Sequence, residues 1–182
     1  MYGEVIDFMG FFADVISTDE TLKAIETAVK ELKRHEVLVG IPQEKSSRQG
    51  SKGKATNAEL LFIHTNGSPV RGIPARSVLQ PAIENDKERI GEMLGKAVDK
   101  AVSGKKEEIV PALERAGMHG VKACKDWFVN PSNGWKPNNP QTLKRKKSTK
   151  PLIDTSEMRK SITYVVRSNS GADIVGGMEE KK

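Results

Sequence analysis

The chain has 182 residues, of which 36% are hydrophobic, 5% aromatic and 30% charged, and its net charge is +6. That is enough for one domain with a modest core, or for a compact domain with arms that gains stability from partners. The single cysteine, Cys124, excludes an internal disulfide and leaves too few ligands for a cysteine-type zinc site.

Charge is spread unevenly along the chain. Residues 1–36 hold eight acidic and four basic side chains, and residues 84–130 balance at nine each. By contrast, residues 37–83 hold two acidic and six basic, and residues 131–167 two acidic and nine basic. The excess sits in two loop-like stretches, one with Lys45, Arg48, Lys52 and Lys54, the other with Lys144, Arg145, Lys146 and Lys147. One basic loop is ordinarily solvated charge, but two of them point to a polyanion or an acidic partner.

In chain order, residues 1–16 read as an apolar arm without a clean period. It carries Asp7 and Asp14 and lacks a basic leader, so it reads as neither a signal peptide nor a membrane span. Its Phe8, Phe11 and Phe12 either join the chain's own core or pack on a neighbouring subunit. Ser17 with Glu20 three residues on forms a capping box, which predicts a helix from Ser17 to about Arg34 with Leu22, Ile25, Val29 and Leu32 on one face. Residues 36–41 are β-branched and stopped by Pro42, a strand signal. Residues 43–57 are polar and glycine-rich, and predict a mobile loop. Thr56 or Asn57 can cap the short helix that follows.

The stretch from 60 to 82 changes character most sharply. An apolar run meets Thr65, Asn66, Gly67, Ser68 and Pro69, which end a helix, and Gly72 and Pro74 set an extended exit; Gly67 is expected at positive φ and Gly72 at a close backbone approach. Leu79, Ile83, Ile90, Leu94, Ala97 and Ala101 then mark one stripe of a long helix ended by Ser103 and Gly104. A second helix over 106–128 places Ile109, Leu113, Ala116, Cys124 and Trp127 inward, making a helical hairpin. Residues 130–140 are turn chemistry anchored by Trp135, and Asn139 and Pro140 suit the start of a short helix. Asp154 and Glu157 read as a cap pair for a turn leading into a strand over 161–166, in which Ile162, Tyr164 and Val166 alternate with polar positions. Residues 169–171 form a hairpin turn, 172–177 a return strand and 178–182 a frayed tail.

Catalytic patterns are lacking. His35, His64 and His119 have no carboxylate or second histidine at ligand spacing, Cys124 sits on an apolar helical stripe, and residues 50–54 lack the spacing of a phosphate loop. The chain therefore reads as a non-enzyme with no cofactor and no metal.

Three stretches carry a resemblance. IHTNGSPVRGIPARSVLQPA (63–82), ALERAGMHGVKACKDWF (112–128) and KPLIDTSEMRKSITYVV (150–166), the last preceded by PQTLKRK (140–146), together resemble the signature of a family of small tailed-bacteriophage virion-morphogenesis proteins. These are variously called neck, tail-completion or head-tail joining proteins. The chain has Ser77 and Val78 where the family usually has a proline and an aromatic, and Ser156 where it tends to have glycine. The resemblance implies a structural protein of the virion neck, assembled in the host cytoplasm as a homo-oligomeric ring, twelve subunits favoured over six. It would join the DNA-filled head to the tail, with portal or adaptor and tail-terminator or tail-tube proteins as partners, non-specific contact with packaged DNA and no membrane contact. The alternative is a sequence-independent nucleic-acid-binding protein that uses the same basic loops. The fold expected is α+β: after the arm, one domain over 17–177 in which a short antiparallel sheet packs against the helical hairpin.

Overall fold

A three-stranded antiparallel sheet lies against helix α5 (Ile109–Trp127), and the remaining elements are arranged around that contact. The computed structural model describes residues 8–48, 55–168 and 174–177. The expected hairpin turn at 169–171, the tail at 178–182 and the basic residues Lys52 and Lys54 lie outside the described residues. The sheet has the order β1 (His35–Gly40), β2 (Thr163–Ser168), β3 (Ile174–Gly177), which puts β2 in the middle. Val37 pairs with Val166 and Val39 with Tyr164 across β1 and β2, and the β2–β3 ladder is irregular between Val166 and Arg167. The fold is α+β, as the alternation in residues 161–166 and the hairpin stripes predict.

Two glycines let α5 sit this close to the sheet. A Cβ on Gly117 would stand 2.5 Å from the Tyr164 ring, and one on Gly120 would stand 3.1 Å from Val39. Helix and strands therefore approach at a spacing that larger residues would forbid. The predicted stripe of Ile109, Leu113, Ala116, Cys124 and Trp127 is buried, with Ala112 and Val121 added to it. Phe128 closes the far end, its ring meeting Trp135 edge-on at 6.0 Å, while the Trp135 indole N–H donates to the Ser77 carbonyl at 3.2 Å.

The long helix expected after the turn is two helices, α3 (Leu79–Asn85) and α4 (Lys87–Val102). They break at Asp86, which has φ −118° and ψ 19° and whose carboxylate meets the His119 ring of α5 at 2.6 Å. Asn and Asp compete with the helical backbone for hydrogen bonds, and here a tertiary partner settles the competition against helix. The stripe survives in part: Ala97 and Ala101 are buried, whereas Leu94 is 37% exposed.

The first helix also differs from expectation. Helix α1 spans Phe8–Leu32, so residues 8–16 are helical and Ser17 is no start. Serine and threonine are mild rather than strong helix formers, and no proline interrupts the run. Within α1 Thr27 bonds back to the Lys23 carbonyl at 2.8 Å, and Lys23 pairs with Asp19 at 2.6 Å. Phe8, Phe11 and Phe12 fall on its first turns, with side chains outside the description. The C-terminal half packs on α4 through Ala28 and Leu32, yet Leu22, Ile25 and Val29 of the predicted stripe are exposed.

Candidate functional site: a cationic cleft

Helix α2 (Asn57–Asn66) opens on a full capping box: Thr56 accepts from the Glu59 N–H while the Glu59 carboxylate accepts from the Thr56 N–H at 2.7 Å. The bonds that the Thr56 N–H and the Thr56 hydroxyl donate to that carboxylate hold the Glu59 carboxyl below the ordinary carboxylate range. The helix ends at Gly67, whose φ is 73° and whose N–H donates to the Ile63 carbonyl. A Cβ here would lie 2.8 Å from the Ala75 nitrogen and 2.9 Å from the Ile73 oxygen, so Gly67 supplies both the positive φ and the close approach. Gly72 is left-handed at φ 62° with open space around it; the close approach expected there belongs to Gly67. Ser68 and Ile73 exchange backbone bonds of 2.8 and 2.9 Å, and the Arg76 N–H returns to the His64 carbonyl.

This folded turn forms one wall of a cleft of about 1230 Å³. The facing wall is the segment from Lys136 through α6 (Pro140–Leu143) to α7 (Glu157–Ser161). Asn139 caps α6 by accepting from the Gln141 N–H at 2.9 Å, as its Asn-Pro pair predicts. Asp154, read as a cap for α7, instead accepts from the Lys147 N–H at 3.3 Å. Residue 156 stands before α7 in the left-handed region at φ 66°, with no side-chain cap. Serine occupies a backbone conformation there that glycine adopts at no steric cost.

Among the described residues six cations line the cleft, Arg48, Arg71, Arg76, Lys136, Arg145 and Lys146, against two carboxylates, Asp154 and Glu157. Arg48 meets Glu157 at 3.4 Å. Arg76 is only 6% exposed, and its guanidinium donates to the Lys136 carbonyl at 2.8 Å and the Pro137 carbonyl at 3.1 Å. Among the described residues no carboxylate pairs with it. Burial lowers its affinity for the proton, and burial together with the charges of Arg76 and Lys146 pushes the half-buried His64 imidazole down. Lys146 is lowered by burial, a shift opposed by Asp154.

The structure thus brings together Arg48, Arg145 and Lys146 from the two predicted basic stretches with the turn residues Gly67, Pro69, Gly72 and Pro74. It leaves Lys45, Lys144 and Lys147 outside the cleft. The expected mobile loop is tied down over its first part: residues 43–45 form a 3-10 turn, and buried Ser46 accepts from the Asn57 and Ala58 N–H groups. Counting runs of charge missed Arg71, Arg76 and Lys136, which stand singly among apolar and turn residues. The signal was an arginine between Ala75 and Ser77 in an otherwise apolar exit, where a cation must find partners.

Elsewhere the chemistry is quiet. Cys124 has 0% exposure and burial pushes its thiol up to about 12, so it stays protonated and packs as a small apolar residue. Among the described residues no three His, Cys, Asp or Glu side chains stand together to hold a metal ion, and no helix is long and apolar enough to cross a membrane. No family model, curated protein or solved structure matches the chain.

Proposed function

We propose that the protein is a structural subunit of a tailed-phage virion, a neck or head-tail joining protein that works by assembling rather than by catalysis. One observation carries the reading. The three stretches that resemble the family form one unit: the first and third build the two walls of the cleft, and the second is α5, which backs the sheet that α7 leads into. Subunits would associate through the apolar rows that α1 and α4 leave exposed, Leu22, Ile25 and Val29 on one and Leu94, Val98 and Val102 on the other. A closed ring, twelve subunits favoured over six, would then seat on portal or adaptor proteins and receive the tail.

The test is genetic and visual. Deleting the gene from the phage that carries it should yield DNA-filled heads and separate tails in electron micrographs, and supplying the protein should restore joining. Normal joined particles from the deletion would overturn the reading.

A further inference from the structure

We propose that the cationic cleft is a receptor for an extended acidic peptide bearing aliphatic side chains, presented by a partner protein. The inference rests on the assembly reading only for the origin of that partner; the chemistry of the cleft stands on its own residues.

Three features select a peptide. First, Arg76 is a buried guanidinium whose partners among the described residues are neutral carbonyls. A buried cation without a counter-ion is costly, and an arriving carboxylate removes much of that cost while forming charge-assisted bonds. Arg71, Arg145 and Lys146 on the same cleft extend the acidic preference beyond one position.

Second, Asn57 is 2% exposed, lines the cleft and has an oxygen with no partner. Its orientation is set by its neighbour. The Ser161 hydroxyl donates to the Glu157 carbonyl at 2.9 Å, so it can only accept from the Asn57 amide N–H, at 2.8 Å. The Asn57 oxygen is left needing a donor, and His64 Nδ1 is likewise buried without a partner. An extended peptide offers an N–H at every residue, whereas a phosphodiester backbone offers none.

Third, the apolar part of the lining is aliphatic: Leu60, Ile73, Pro74, Leu152 and Met158. Among the described residues no Phe, Tyr or Trp lines the cleft, so these offer none of the stacking platforms on which single-stranded nucleic acid binds. Aliphatic surface between cations fits a chain that alternates acidic and aliphatic side chains, the first for the guanidiniums and the second for the walls.

The experiment uses the full-length purified protein and fluorescence anisotropy with three labelled probes. They are the hexapeptide Glu-Leu-Glu-Leu-Glu-Leu, its glutamine counterpart and a twelve-nucleotide oligothymidylate. The glutamate peptide should bind, and the glutamine peptide and the oligonucleotide should bind at least about tenfold more weakly. Arg71→Ser with Arg145→Ser, both exposed on the cleft, should weaken the glutamate peptide roughly tenfold with an unchanged melting temperature. Arg76→Gln should abolish binding; if that variant fails to fold, the double variant decides. Absence of peptide binding, equal binding of the glutamine peptide, or tighter binding of the oligonucleotide would each overturn the proposal. Because no phage particle enters this assay, its failure is distinct from a normal deletion phenotype.

Discussion

Helices α5 and α1 carry the same kind of apolar stripe, and the fold treats them in opposite ways. On α5, Ile109, Leu113, Ala116 and Val121 are all buried, pressed between the sheet and the helices α3 and α4. On α1, Leu22 is 56%, Ile25 42% and Val29 44% exposed, and only Ala28 and Leu32 meet the body. Periodicity fixes which residues share a face, but it carries no information about what covers that face. The glycines of α5 supply the missing cue, because they permit a close approach that α1 shows no sign of over its described side chains.

The largest predicted effect compares two isoleucines. Ile109→Ala removes a fully buried side chain and should cost about 2–5 kcal/mol in chemical denaturation. Ile25→Ala should change the stability of the monomer by less than about 0.5 kcal/mol. It should instead reduce self-association, read by light scattering across a concentration series. Equal losses of stability for the two variants would show that α1 is core after all and break the contrast.

A pair of glycines sharpens it at a smaller scale. Gly117→Ala drives a methyl group into the Tyr164 ring and should destabilise by about 1–3 kcal/mol. Gly95→Ala, on the helix α4 where an added Cβ meets nothing within 4 Å, should stabilise by about 0.5–1 kcal/mol through helix propensity. Thermal melts of the two single variants give the signs directly.

The third variant lies in the cleft wall. Ser156 is held at φ 66°, and Ser156→Gly should relieve about 1–2 kcal/mol of left-handed strain. Part of that returns as the extra chain entropy of glycine, about 0.5–1 kcal/mol, leaving a net gain near 0.5–1 kcal/mol. A melting temperature that falls would mean that the serine hydroxyl supplies something the backbone geometry does not reveal.

Much of the architecture could be read from patterns of few residues. The strands at 35–40 and 163–168, the stripe of α5, the stop at Gly104, the Asn139 cap and the turn at Gly67 all follow from local chemistry that tertiary packing reinforces. The misses share a cause. Asp86 breaks a helix because His119 waits for it 33 residues away, and Asp154 caps nothing because the Lys147 N–H reaches it first. Ser17 is passed over because a capping box permits a helix start without requiring one. The cleft was legible only in pieces: its turn and two of its basic stretches were visible, but their convergence on buried Arg76 is a long-range fact.

The smallest effect is a response to pH on the cleft side of the molecule. Burial holds the Cys124 thiol of α5 at about 12, so that group stays protonated between pH 5 and 8. On the cleft side, burial and the neighbouring charges of Arg76 and Lys146 depress the His64 proton affinity, while Asp154 near Lys146 and Glu157 near Arg48 temper that field. In the unfolded chain the imidazole takes its proton near pH 6.5, whereas in the folded chain it does so only at lower pH. Between those two values the unfolded state binds more protons, so the stability linked to His64 is complete above about pH 6.5 and declines as the pH falls below it. Denaturation midpoints measured from pH 7.5 to pH 5 should therefore fall, and His64→Gln should flatten that part of the curve. A bound acidic peptide would add negative charge beside His64 and raise its proton affinity, so the complex should lose less stability over the same interval. A variant curve that superimposes on the wild type would remove His64 from the cleft's electrostatics.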